Sequence, residues 1–324
     1  MGDSAYPIPG PLPQFAVRLS SPDLTRWLDG NTGVRGFICR DSGRAGRHVG
    51  LFALTHGNEI AGAIALTRLL KADLRPNRGR ITLGFVNLAA FARFDPRQPT
   101  ESRFVDEDMN RLWDPAVLDG HRQSSELARA RQIRPLLDEI DILLDLHSML
   151  WPSEPLILCG AAAKGRELAR GIGHPPLVVA DHGHASGRRL IDYTPFVDPG
   201  DPRAANLVEA GQHWEPETVD TMLAAIAGAL RHAGLIGEHP SLPARAEAAP
   251  EPRFAEVIRT ITASSSNFSF VQPFRGGDIV PKSNTLIAID GDEEIRTPCA
   301  NCLLVMPSLR PSRGHTTVRL ARMI

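Results

Sequence analysis

The sequence predicts an α/β domain with a mostly parallel sheet, followed by a small all-β domain. Three observations carry this. Between residues 49 and 233, apolar strand-like runs alternate with stretches of helical periodicity. A Pro-, Ala- and charge-rich stretch with little to bury fills 237–253. From Phe254 onward only short β-rich runs divided by Gly, Pro and Asp remain.

The first element is the apolar run VGLFALT (49–55), which enters His56-Gly57. NEIAGAIALTRLLK then places Ile60, Ile64, Leu66 and Leu70 among alanines, as a helix does. The reading is strand, tight loop, helix. A second strand, ITLGFVN (81–87), follows a turn-rich connection, and a third, DILLDLHS (141–148), follows a helical stretch from about Gln123 to Arg134. Further strand-like pieces are PLILCG (155–160), PLVVAD (176–181) and NLVEAG (206–211). The helix from Pro216 to about Ala233 gathers Val219, Met222, Leu223, Ile226 and Leu230 on one face, with Gly234 placed to end it. The expected division is 1–236 as the larger domain, 237–253 as linker and 254–324 as the all-β domain, in which AEVIRTITA, FSFVQPF, NTLIAID, NCLLVMP and TTVRLARMI read as strands.

Composition excludes several classes. Lys plus Arg number 36 against 37 for Asp plus Glu, a formal charge of −1, so nothing in the balance attracts nucleic acid. The N-terminal MGDSAYPIPGPLPQF lacks the basic and apolar segments of a signal peptide. No run approaches the ~18 apolar residues of a membrane span. A cytoplasmic protein with no membrane partner is expected, and four sparse cysteines fit reduced thiols. Cys299-x-x-Cys302 has no second pair, so ordinary packing outweighs a zinc knuckle. Nothing in the sequence distinguishes a monomer from a homo-oligomer.

The chemistry concentrates where strands end. His56 and Glu59 bracket a strand-to-helix loop, and His147 ends another predicted strand. In parallel sheets the carboxyl ends of strands line the ligand crevice, so residues distant in sequence can meet there. Two His and one Glu leave a fourth zinc position open, as catalytic zinc sites do. Asp145, two residues before His147, shares its face of the strand and can orient the imidazole.

Four segments, THGNE (55–59), SRFVDEDMNRLW (102–113), LLDLHS (143–148) and LVEAGQHW (207–214), occur in the order and rough spacing of the succinylglutamate desuccinylase/aspartoacylase family, which this chain resembles over roughly 45–235. The resemblance implies a zinc-carboxypeptidase-like fold, a mostly parallel mixed sheet flanked by helices. It implies one Zn2+ per chain on His56, Glu59 and His147, with Glu209 as general base and acid. Arg103 is implied to polarise the scissile carbonyl, while Asn110 and Arg111 hold the carboxylate of a small N-acyl amino acid. The chemistry agrees, because a guanidinium pairs bidentately with carboxylate and a fixed charge stabilises an oxyanion.

The chain departs from the family in its tyrosines. Tyr6 and Tyr193 are the only two, so a tyrosine given to the pocket by the C-terminal domain has no counterpart, which argues against acetylaspartate. Tyr193 in GRRLIDYTPF is instead expected to face the pocket, with Arg188 or Arg189 reading an acidic side chain or a dicarboxylic acyl group. The C-terminal domain is read as a wall limiting substrate size. The remaining readings are a metallocarboxypeptidase acting on short peptides and a non-catalytic metal-binding protein on the same fold. Glu209 argues against the second, which has no use for a proton shuttle.

Overall fold

In the computed structural model, residues 15–184, 186–244 and 250–324 are described. They divide into two compact units. One contains Val17–Ser148 and Pro155–Arg253; the other contains residues up to Ala16, Met149–Glu154 and Phe254–Ile324. Compared with the continuous segments 1–236, 237–253 and 254–324, the smaller unit thus takes in 149–154 as well. Residues 245–249 of the expected linker lie outside the described residues.

The larger unit is built on strands β1 (Phe37–Asp41), β2 (His48–Ala53), β3 (Arg80–Phe85), β4 (Ile142–Met149), β5 (Leu156–Leu158), β6 (Leu177–Ala180) and β7 (Ala204–Gln212). Their order across the sheet is β1-β3-β2-β4-β7-β5-β6. Parallel pairing joins β2 to both β3 and β4, and β5 to β6. The edge strand β1 and the pair β5–β7 run antiparallel. The expected mostly parallel mixed sheet is borne out, and β2, β4 and β5 are buried throughout, as sheets covered on both faces require.

The helices are α1 (Ile60–Lys71), the single turns α2 (Leu88–Phe91) and α3 (Pro115–Leu118), α4 (Ser125–Leu137), α5 (Ala163–Ile172), the turn α6 (Thr194–Val197) and α7 (Pro216–His232). The apolar face read on α7 is buried, with Val219, Met222 and Ile226 at 0% exposure, and α7 packs against α1, α5 and β7. Gly234 stops it with φ +70, as its position predicted. Helix α4 runs three residues past the expected Arg134 and includes Pro135 in its last turn, at the loss of one i→i−4 hydrogen bond. Among the described residues, no helix is long and apolar enough to cross a membrane.

The smaller unit carries β8 (Arg253–Thr262), β9 (Phe268–Phe270), β10 (Ile279–Val280), β11 (Leu286–Asp290), β12 (Glu293–Arg296), β13 (Cys302–Val305) and β14 (Thr316–Met323). Antiparallel pairing gives β8-β14-β13-β10 and β12-β11-β9. Phe268, Phe270 and Phe274 stack edge to face in its core, and Cys302 is buried among them with Cys299 packed alongside. Burial, with Cys299 adding to it, pushes the Cys302 thiol up to about 12. That is the behaviour of a packed thiol.

Candidate metal centre

Strand β2 ends at Ala53, and the chain turns sharply into α1. Leu54 takes φ +63, a left-handed backbone uncommon for a branched side chain, and its carbonyl accepts the Asn87 N–H at 2.8 Å. Gly57 lies against two backbone segments, the Ala90–Phe91 peptide and Ser102. A Cβ there would come within 2.4–2.5 Å of Ala90 C, Phe91 N and Ser102 O, and the Gly57 N–H donates to the Arg103 carbonyl at 3.1 Å. Only glycine allows the loop that bears His56 to lie this close to the segment that bears Arg103.

His56, Glu59 and His147 converge, all three buried, with their ligand atoms within 4.8 Å of one another. The Glu59 carboxylate sits between two imidazoles, 2.7 Å from His56 Nδ1 and 3.1 Å from His147 Nδ1. It also accepts the Ser148 N–H at 2.9 Å. The sheet register brings the ends together, because Phe52 of β2 lies opposite Asp145 of β4.

Behind each imidazole stands a carboxylate. His147 Nε2 lies 2.8 Å from Asp145 Oδ2, whose other oxygen accepts from Thr55 Oγ1 at 2.9 Å. His56 Nε2 lies 2.9 Å from Asp108 Oδ1. The chemistry of this donor set fits a divalent cation. A carboxylate that takes the Nε2 proton leaves the Nδ1 lone pair facing inward, and the set becomes two imidazole nitrogens and one carboxylate oxygen, as zinc prefers.

The charges show a carboxylate-rich pocket in which His147 holds a second proton, one that a bound cation would displace. Burial works to raise the Glu59 pKa, but His56 and His147 hold the group well below the usual carboxylate range. Burial disfavours charge on His147, yet Asp145 and Glu59 raise its pKa well above the ordinary value. Burial likewise opposes ionisation of Asp108, and His56, Arg103 and Arg111 outweigh it and keep the group anionic. These acids supply a negative pocket that a divalent cation would neutralise.

Arg103 is brought to the same place. Its guanidinium reaches Asp108 at 3.2 Å, Glu59 at 3.4 Å and His56 Nε2 at 3.0 Å. Burial would lower its pKa, but Asp108, Glu59 and then Glu209 raise it, so Arg103 stays charged and feels Glu209 nearby. Glu209 projects from the middle of β7, opposite Leu156 of β5, and is 6% exposed. Asn110 and Arg111 form the one-turn 3-10 helix Met109–Arg111, capped by Asp108. Asn110 Oδ1 accepts the Leu190 N–H at 2.8 Å, while Arg111 donates to the Asn110 carbonyl at 2.6 Å and lies 3.8 Å from Asp108.

The remaining expected residues divide. Arg188 is 45% exposed by side chain and pairs with Asp114 at 3.0 Å. With Arg111, Arg122, Glu107 and His184 it lines a cavity of about 300 Å³. Arg189 is consumed internally by Asp181 and Asp192. Tyr193 is not brought to the cluster. Its hydroxyl donates to Asp138 at 2.8 Å and accepts from Arg134 at 3.2 Å, while its ring packs against Trp113 and Phe196. Tyr6 lies outside the described residues.

Two members of the site escaped the sequence reading. Asp108 is one of three acids in VDED, and spacing alone does not single it out. His213 is buried, lies 2.8 Å from Ser148 Oγ through Nδ1, and is pushed down to about 4 by burial, so it is neutral. Its place after LVEAGQ was the available signal.

Residues 45–162 match the family model described as the succinylglutamate desuccinylase/aspartoacylase catalytic domain. No curated protein matches. Among solved structures, a succinylglutamate desuccinylase from Vibrio cholerae superposes with a TM-score of 0.66 at 18% identity, over 90% of this chain and 86% of that one. A succinylglutamate desuccinylase/aspartoacylase from Rhodobacter sphaeroides gives 0.63 at 19%, over 89% and 88%. A product-bound ectoine utilization protein from Ruegeria pomeroyi gives 0.63 at 18%, over 88% and 87%. At these identities the superpositions show a shared fold. The resemblance to this family is borne out, and three of the four motifs, at 55–59, 102–113 and 143–148, fall within the matched residues.

Proposed function

We propose that this chain, whose residues 45–162 match the succinylglutamate desuccinylase/aspartoacylase catalytic domain, hydrolyses the amide of a small N-acyl amino acid, with zinc held by His56, Glu59 and His147. One observation carries the reading. Two imidazoles and a carboxylate converge, and Asp108 and Asp145 stand behind the imidazoles to fix their inward nitrogens.

Zinc bound there would supply Lewis acidity, acidifying a water and polarising the acyl carbonyl. The protein's own residues do the rest. Glu209 takes a proton from the attacking water and returns it to the departing amine nitrogen, so the C–N bond breaks to an acid and a free amino acid. The Arg103 guanidinium, charged throughout, faces the oxyanion of the tetrahedral intermediate. Arg111 pairs with the α-carboxylate, and Asn110 steadies that contact while anchoring Leu190. In the cavity lined by Arg111, Arg122 and Arg188, Arg122 pairs with Glu107 and Arg188 with Asp114, so an acidic side chain or a dicarboxylic acyl group would be read by half-exposed Arg188 in exchange for Asp114.

The test is release of free amino groups by the zinc-loaded protein across N-succinyl, N-acetyl and N-formyl amino acids, with short peptides and Glu209→Gln alongside. The expectation is turnover of acyl amino acids and a loss of about 10²- to 10⁴-fold in the variant. Cleavage of the peptides instead would replace deacylation with carboxypeptidase activity. Metal binding without turnover of any substrate would favour a binding role on the same fold.

A further inference from the structure

The segment that carries Arg103, Asp108, Asn110 and Arg111 has a single 3-10 turn as its only regular structure, yet it must present four side chains in fixed register. Its middle is held by one side chain. Glu126, in the first turn of α4 and 1% exposed, accepts three consecutive backbone amides: Val105 N–H at 2.6 Å on Oε1, and Asp106 and Glu107 N–H at 3.1 and 3.3 Å on Oε2. Asn87 Nδ2 adds a fourth donor to Oε1 at 3.0 Å. Returning the contact, Asp106 accepts the Ser125 N–H at 2.7 Å.

The Asn87 link reaches the other half of the site. Its N–H bonds the carbonyl of Leu54, the left-handed residue two before His56. Its Oδ1 caps α2, the turn whose backbone lies against Gly57. One buried carboxylate therefore ties the segment bearing Arg103 and Asp108 to the strand end bearing His56, and it touches none of the converging groups.

We infer that Glu126 is the positioning residue for Arg103 and Asp108, holding the 102–111 segment over the metal-ligating loop through its three amide contacts. The inference rests on the proposed amide hydrolysis for its kinetic arm. A carboxylate is required because both oxygens face only donors. In Glu126→Gln, one of the two positions becomes an NH2 group directed at N–H groups, and either Val105 and Asn87 or Asp106 and Glu107 lose their acceptor.

The experiment compares full-length wild type, Glu126→Gln and Glu126→Asp by backbone amide exchange and by turnover of the best acyl amino acid, each also in an Arg103→Ala background. Exchange at 103–111 is expected to rise at least about tenfold in Glu126→Gln while the strands keep their protection. kcat should fall about 10- to 100-fold, as misplacing a polarising group by a fraction of an ångström does. In the Arg103→Ala background the same change should cost clearly less, leaving only the part that runs through Asp108 and His56, whereas a purely structural role would cost the same in both. Glu126→Asp, shorter by one methylene, keeps the charge and the fold and should lie between the two.

Unchanged exchange at 103–111, full activity in Glu126→Gln, or an equal loss in both backgrounds would overturn the inference. If the wild type turns over no substrate, the proposed activity fails by itself and the exchange arm still decides the role of Glu126.

Discussion

Arg188 and Arg189 are neighbours with opposite assignments, and replacing each by methionine separates them. The Arg189 side chain is 3% exposed and meets Asp181 through two bonds at 2.7 and 2.9 Å and Asp192 through two at 2.8 and 3.1 Å. Burial works against its charge, but Asp181 and Asp192 more than offset that and raise its pKa. Arg189→Met removes the cation and leaves two carboxylates in a poorly solvated place. Breaking a buried pair from one side costs about 3–5 kcal/mol. Asp192 retains some contact with solvent, so the lower end, about 3 kcal/mol, applies here. For a domain of this size that lowers Tm by roughly 6–12 °C. Arg188 is 45% exposed and its pair with Asp114 is solvated, so Arg188→Met should change stability by less than about 1 kcal/mol while altering preference among acidic substrates. Thermal and urea unfolding followed by circular dichroism measures both. Adding Asp181→Asn to Arg189→Met should recover part of the loss by removing one stranded charge. Equal Tm shifts for the two single variants would refute the division of roles.

Two further outcomes follow from contacts already described. Asp145→Asn keeps the shape of the side chain but weakens its hold on His147, so zinc affinity measured by chelator competition should fall about 10- to 100-fold; unchanged affinity would remove the orienting role. His48 is buried between the Glu139 carbonyl at 3.0 Å and Thr82 Oγ1 at 2.7 Å, and burial, followed by the nearby Arg80, lowers its pKa. The unfolded chain then binds a proton from about pH 6.5 that the folded chain resists, so this stability is complete above that pH and lost as pH falls. Urea midpoints should drop more steeply with acid in wild type than in His48→Gln, and parallel curves would count against it.

How much of this was legible in the sequence depends on the range of the signal. Strands β2, β3 and β4 and helix α7 are written in local periodicity, and they emerged within a few residues of expectation. The edge strand FICRD (37–41) was missed because it is short, mixes Arg and Asp with its apolar residues, and owes its existence to pairing with β3. Helix α5 was missed because AKGRELARGI is short, carries two glycines and has only Leu168 and Ile172 as large apolar residues, although its helix formers and its buried face of Leu168, Ala169 and Ile172 were there to be read. In the site, His56, Glu59 and His147 stand at strand ends, where position itself is informative. Asp108 and Glu126 look like ordinary acids in a loop and at a helix start; only the folded backbone shows that one faces an imidazole and the other three amides. Tyr193 illustrates the converse, since its neighbours in sequence say nothing of Asp138, which reaches it from the end of α4.

His56 and His147 lie about ninety residues apart and meet only because β2 and β4 run side by side. The donor set spans residues 56–147 and is joined across the β2–β4 pairing, unlike the short local loops of small metal-dependent modules. Here the sheet must assemble first and offer the donors already aimed. If the donor set binds a cation, its affinity would report on the pairing of β2 with β4, and chelator titration would read a lesion that disturbs that pairing.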